Sequence, residues 1–136
     1  MKHLCLLLLI LMLPGYSGAD ELKPFTSDGC SSFPDGTWQE NTLWLSCCKQ
    51  HDRAYWKGGT YQQRLDADNR LEECVAAVGK PRTALLMLAG VRVGGGPFLP
   101  TQFRWGYGWS YPRGYGELTE EELEQVKRLS SQQPEQ

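Results

Sequence analysis

The hydrophobic positions divide the chain into a leading apolar run and four stretches that read as helices. Leu4 to Leu13 is uniformly apolar, whereas Asp20 to Glu40 is rich in Gly, Pro, Ser, Asp and Thr and has no sustained period, so it reads as a loop region. From Asn41 to Lys57 there is neither Pro nor Gly, and the run stops at Gly58-Gly59, which predicts a first helix. Thr60 with Gln63 forms a capping box that opens a second helix, ended at Gly79 ahead of Pro81. Leu65, Leu71, Val75 and Val78 mark its inward stripe. Arg82 to Val93, apolar over most of its surface, predicts a well-buried third helix ended by Gly94-Gly95-Gly96. A Gly- and Pro-punctuated segment from Phe98 to Tyr115 carries seven aromatic rings. Thr119 with Glu122, a second capping box, opens a short amphipathic helix to about Ser130.

Two helices joined by a two-residue glycine turn imply an antiparallel hairpin, and its register follows from counting. His51 lies seven residues before Gly58 and Asp68 nine after Gly59, so at about 1.5 Å per residue they sit within about one turn of the same height. Asp68 is three residues from both Leu65 and Leu71, which places it on the buried stripe, where a carboxylate needs a partner. By this geometry the partner is either His51 or an arginine, Arg53 or Arg64.

Composition narrows the class. The 136 residues allow one domain, and 14 Lys and Arg against 16 Asp and Glu give a net charge of -2, too balanced for a phosphate-backbone binder, so no nucleic-acid partner is expected. Residues 1–19, with a charged start, ten apolar residues and Ser17-Gly18-Ala19, read as a signal peptide; ten residues are about half of what spans a bilayer. The expected organisation is therefore a domain at 20–131 and a disordered tail at 132–136, secreted or periplasmic. In an oxidising compartment Cys30, Cys47, Cys48 and Cys74 are expected as two disulfides, since adjacent Cys47-Cys48 lacks the spacing of paired zinc ligands.

His51 is the single histidine after residue 19. At 100° per residue, Cys48, His51, Asp52 and Tyr55 occupy neighbouring rows of the first helix. An imidazole held by a carboxylate can take a proton from water, and a second carboxylate can hold a hard cation that polarises an ester carbonyl.

The segment Cys47-Cys48-Lys49-Gln50-His51-Asp52-Arg53-Ala54-Tyr55 resembles the Cys-Cys-x-x-His-Asp-x-x-Tyr helix of secreted phospholipase A2, and Asp68 and Cys74 stand at the interval of that family's second helix. The resemblance covers Asp28 to Gly79 and looks like that of a short bacterial-type member. It implies His51 as general base, Asp68 as its orienting carboxylate, Tyr55 as hydrogen-bonding support and Asp52 as ligand to Ca2+. It also implies the pairs Cys30–Cys48 and Cys47–Cys74. A further disulfide common in the family is absent at both of its positions, Ala54 and Ala67. The family's Tyr-Gly-x-x-Cys-Gly-x-Gly-Gly loop is replaced by Ser27 to Gly36; aligned on Cys30, the carbonyls of Gly29, Ser31 and Phe33 become the loop ligands, with the Asp28 or Asp35 carboxylate as alternatives. The Ser31 N–H is a candidate oxyanion donor.

The expectation is thus an all-α, disulfide-stapled domain, taken as a monomer, hydrolysing the sn-2 ester of glycerophospholipids at a membrane surface. Trp105, Tyr107 and Trp109 are its expected membrane-contacting residues, with burial of the same rings as the competing reading. The rival functions are a catalytically inactive phospholipase-like module that binds a membrane or a protein, and a carbohydrate platform built on the aromatic segment.

Overall fold

A computed structural model describes residues 20–133. The described residues form four α-helices and no strand: α1 (Leu45–Lys57), α2 (Tyr61–Ala77), α3 (Pro81–Gly94) and α4 (Glu120–Gln132). Both disulfides and all three packing clusters lie within this stretch, so the chain from Asp20 carries the whole described fold. None of its helices is long and apolar enough to cross a membrane. The expected signal peptide at 1–19 and the end of the expected tail at 134–136 lie outside the described residues. The rest of that tail is ordered differently from expectation: Gln132 closes α4, and the Gln133 side chain accepts a hydrogen bond from the Phe25 N–H.

Helix α1 begins at Leu45, later than the sequence suggests. The N–H of Trp44 is drawn back to the Asp35 carbonyl and its indole N–H to that of Pro34, so Asn41 to Trp44 form a turn. Both capping boxes form as read: Thr60 with Gln63 opens α2, and Thr119 with Glu122 opens α4. The buried stripe of α2 differs from the one expected. It runs through Arg64, Ala67, Asp68, Leu71 and Val75, whereas Leu65 is half-buried and Val78 exposed. Arg64 takes the inner place because its guanidinium finds four acceptors there.

Cys47 is bonded to Cys74 and His51 meets Asp68, so ascending positions of α1 pair with descending positions of α2. Cys30 is bonded to Cys48, which pins the preceding loop to α1. Trp44, Leu71, Val75, Ala84 and Met87 close one core cluster around these bridges. Helix α3 packs on α2 but is not well buried: only Ala84 and Met87 are fully covered, and Leu85, Leu86 and Val93 face outward.

The aromatic segment folds inward, as the reading that buried these rings had it and against the expectation that Trp105, Tyr107 and Trp109 contact a membrane. Trp105 and Trp109 are completely buried and Tyr107 is half-buried. The cause lies in the C-terminus of α1, whose last carbonyls have no helical partner. Trp109 donates its indole N–H to the Lys57 carbonyl, Trp105 to that of Gly59, and the N–H groups of Gly106 and Gly108 take those of Tyr55 and Trp56. The segment therefore caps α1. Gly58 and Gly59 make the turn with φ of 67° and 130°, conformations that side chains disfavour. The extended N-terminal strip joins the same layer: Leu22 is buried against Trp56 and Trp109, and Trp56 donates to the Lys23 carbonyl.

Candidate active site

Asp68 is the centre of the site and has no exposure to solvent. Its Oδ1 lies 2.8 Å from His51 Nε2 and accepts from the Tyr55 hydroxyl at 2.7 Å. Its Oδ2 lies 2.8 Å from Arg92 Nε in an ion pair whose alignment is not that of a hydrogen bond. The carboxylate thus joins three helices: α1 through His51 and Tyr55, α2 through its own backbone, and α3 through Arg92. Of the partners open to it by sequence, His51 is the one it takes; neither Arg53 nor Arg64 touches it.

The dyad is held from behind. Burial first, and then the neighbouring Asp68 charge, push the Tyr55 pKa well above its ordinary value, so the phenol stays protonated and remains a donor. Arg64 donates to that same oxygen at 3.1 Å, to the Tyr115 hydroxyl at 2.7 Å and to the carbonyls of Val91 and Arg92 at 2.9 and 3.0 Å. It thereby occupies the negative end of α3 while bracing Tyr55. Arg92 is itself fixed by the Asn69 side chain at 2.7 Å and the Leu65 carbonyl at 3.2 Å. Gly95 is needed at this junction, because a Cβ there would meet the Tyr55 ring at 2.6 Å.

An ionised carboxylate offers only acceptors, so a neutral imidazole facing it through Nε2 would place its proton there and leave Nδ1 free to accept. His51 lines a cavity of about 360 Å³ together with Asp52, Tyr55 and loop residues Gly29 to Phe33. The far wall is apolar: Leu71, Leu86, Met87 and Val91, with Gly90 and Gly94 leaving open space where side chains would project. Phe103 stands at its edge.

Asp52 occupies the polar end. Its Oδ2 accepts from Ser27 Oγ at 2.6 Å, and it makes no ion pair among the described residues. Burial pushes its pKa up to about 7 against the lowering effect of the Ser27 bond, with Asp28 and Asp35 adding repulsion. A buried carboxylate that two others repel is an arrangement that a cation would relieve.

The loop opposite Asp52 supports the same reading. Gly29 and Ser31 both have positive φ, 73° and 57°, and Ser31 is the only non-glycine in that region among the described residues. The carbonyls of Gly29, Ser31 and Phe33 accept no hydrogen bond there, which leaves them available as hard oxygen donors. The alternative carboxylates are engaged within the loop: Asp28 accepts from the Ser31 hydroxyl at 2.9 Å and Asp35 from the Cys30 N–H at 2.9 Å. No three His, Cys, Asp or Glu side chains converge as a metal site among the described residues, so a cation here would depend on Asp52 plus backbone oxygens.

The cysteine pairs, His51 with Asp68, Tyr55 and Asp52 stand together; Trp105 packs edge-on against Tyr55 and Trp109 against Trp56 as scaffold, while Tyr107 donates its hydroxyl to the Thr26 carbonyl, next to the Ser27 that bonds Asp52. The sequence did not point to Arg92, nor to the hydrogen bonds of Tyr115 and Ser27, and Arg64, offered there as a partner for Asp68, instead binds Tyr55 and Tyr115. A signal for Arg92 existed: it is the one charged residue between Thr83 and Gly96, opposite a helix bearing a buried carboxylate. No family model matches the chain, and no curated protein or solved structure matches it either, so its likeness to a known family rests on the motif from Cys47 to Tyr55 with Asp68 and Cys74.

Proposed function

We propose that this chain is an exported, calcium-dependent ester hydrolase acting on the sn-2 position of glycerophospholipids, built on an antiparallel hairpin of α1 and α2. The observation that carries the reading is the His51–Asp68 pair at 2.8 Å, with His51 in the wall of a largely apolar cavity that Asp52 also lines. The cavity suits a fatty acyl chain lying along Leu71, Met87 and Val91 with its ester next to His51.

His51 takes a proton from water at Nδ1. Asp68 holds the imidazole by Nε2 and stabilises the positive charge that it gains, while Tyr55 and Arg92 keep Asp68 oriented. Asp52 and the carbonyls of Gly29, Ser31 and Phe33 would hold the calcium ion, which when bound would supply positive charge beside the reacting ester. The oxygen of that water bonds to the ester carbonyl carbon, the bond from that carbon to the glycerol oxygen breaks, and His51 gives its proton to the leaving alkoxide. The N–H of Ser31 is the loop donor suited to the developing oxyanion. Two disulfides fit an oxidising compartment. The test is fatty-acid release from phospholipid micelles: release in calcium that stops with a chelator supports the reading, and release indifferent to the chelator refutes its calcium half.

A further inference from the structure

Helix α3 is as apolar outside as inside, yet nothing among the described residues covers its outer side. Arg82, Leu85, Leu86, Ala89, Gly90 and Val93 fall on one face and all are exposed; Leu85, Leu86 and Val93 retain 58%, 62% and 83% of their accessible surface. The inner face is the one that carries Ala84, Met87 and the Arg92 side chain that reaches Asp68. A helix apolar all round belongs in a core or against another apolar medium.

The outer face runs into the candidate active site. Leu86 and Gly90 belong both to it and to the cavity lining, and Phe103, also exposed, lines the same cavity. Charge identifies the medium. From Lys80 to Gly116 there is no Asp or Glu, and five basic residues are present. Arg92, Arg104 and Arg113 are bound internally, whereas Lys80 and Arg82, at the start of α3, make no ion pair among the described residues. An apolar face edged by cations and lacking carboxylates matches an anionic lipid surface.

The geometry points to the outer face of α3 as the membrane-docking surface, with Leu86 and Val93 entering the acyl region of an anionic bilayer and Arg82 meeting headgroup phosphates. This rests on the hydrolase reading for its purpose, since docking there sets the cavity mouth against the lipid. It also relocates the contact from the buried rings of Trp105 and Trp109.

The test uses the chain from Asp20 with His51→Gln, so that vesicles stay intact, sedimented with phosphatidylcholine vesicles with and without phosphatidylglycerol. The parent should bind the anionic vesicles, and Leu86→Ser with Val93→Ser should weaken that binding at least about tenfold with the melting temperature unchanged, because both side chains are already exposed. Arg82→Glu should weaken binding to anionic vesicles only. Absent binding, equal binding to both vesicles, or a double variant within about twofold of the parent would overturn the proposal. So would a dimer of the parent that the double variant dissolves, because the occupant would then be a second copy. Vesicle binding by a wild-type chain that releases no fatty acid would instead sink the hydrolase reading and leave this surface standing.

Discussion

Replacing Asp52 with Asn separates a cation site from an ordinary buried carboxylate. Burial, together with Asp28 and Asp35, raises the Asp52 pKa from 3.8 to about 7. Above pH 7 the folded chain holds a charged carboxylate that the unfolded chain would solvate freely. About three pKa units at about 1.4 kcal/mol each make the cost about 4 kcal/mol at pH 8 without calcium. The sign follows from proton counting: between about pH 4 and 7 the native state binds the proton that the unfolded state has released, so this contribution favours folding at low pH and is lost as pH rises through 7. Asn keeps an acceptor for Ser27 and carries no charge. Asp52→Asn should therefore be more stable than wild type by up to about 4 kcal/mol in chelator at pH 8, with the gap closing toward pH 4. Calcium should reverse the order, raising the wild-type melting temperature by mass action and leaving the variant unmoved. Urea titrations across pH, in chelator and in calcium, measure both. A variant less stable than wild type at pH 8 in chelator, or stabilised equally by calcium, would show that Asp52 is not a cation ligand.

Three further outcomes follow from the packing. Arg92→Met leaves Asp68 Oδ2 without its cation; because the Arg92 side chain is a third exposed, the expected loss is about 2 kcal/mol by denaturant titration, short of the value for a fully buried pair, with at least about tenfold lower turnover. Gly90→Ala should stabilise α3 by about 1 kcal/mol in thermal unfolding, since no atom lies within 4 Å of the new Cβ, whereas Gly90→Leu should narrow the cavity and lower activity on long acyl chains more than on short ones. Trp109→Ala should cost about 3–5 kcal/mol in the same experiment, because it empties a fully buried site and frees the Lys57 carbonyl.

The helices were legible wherever their signals are local. Thr60 with Gln63 and Thr119 with Glu122 fix their helix starts by bonds within one turn, and the glycine turn set a register that brings His51 to Asp68. Tertiary contacts were not legible. The choice of Arg92 over Arg53 or Arg64 depends on how α3 docks on α2, which no periodicity encodes. The same docking leaves Leu85 and Leu86 outside, although their composition suggested burial. The aromatic segment has no period at all; its burial follows from the unpaired carbonyls at the end of α1, a demand that appears only once the helix has an end in space.

The central claim is that His51 and Asp52 together hydrolyse the sn-2 ester. It is tested most directly by giving the chain from Asp20 a phospholipid with different acyl chains at its two positions and identifying the released acid by mass spectrometry. The sn-2 acid alone should be released, dependent on calcium and absent in His51→Gln. No release by the folded wild-type chain in calcium, or equal release by His51→Gln, would contradict it.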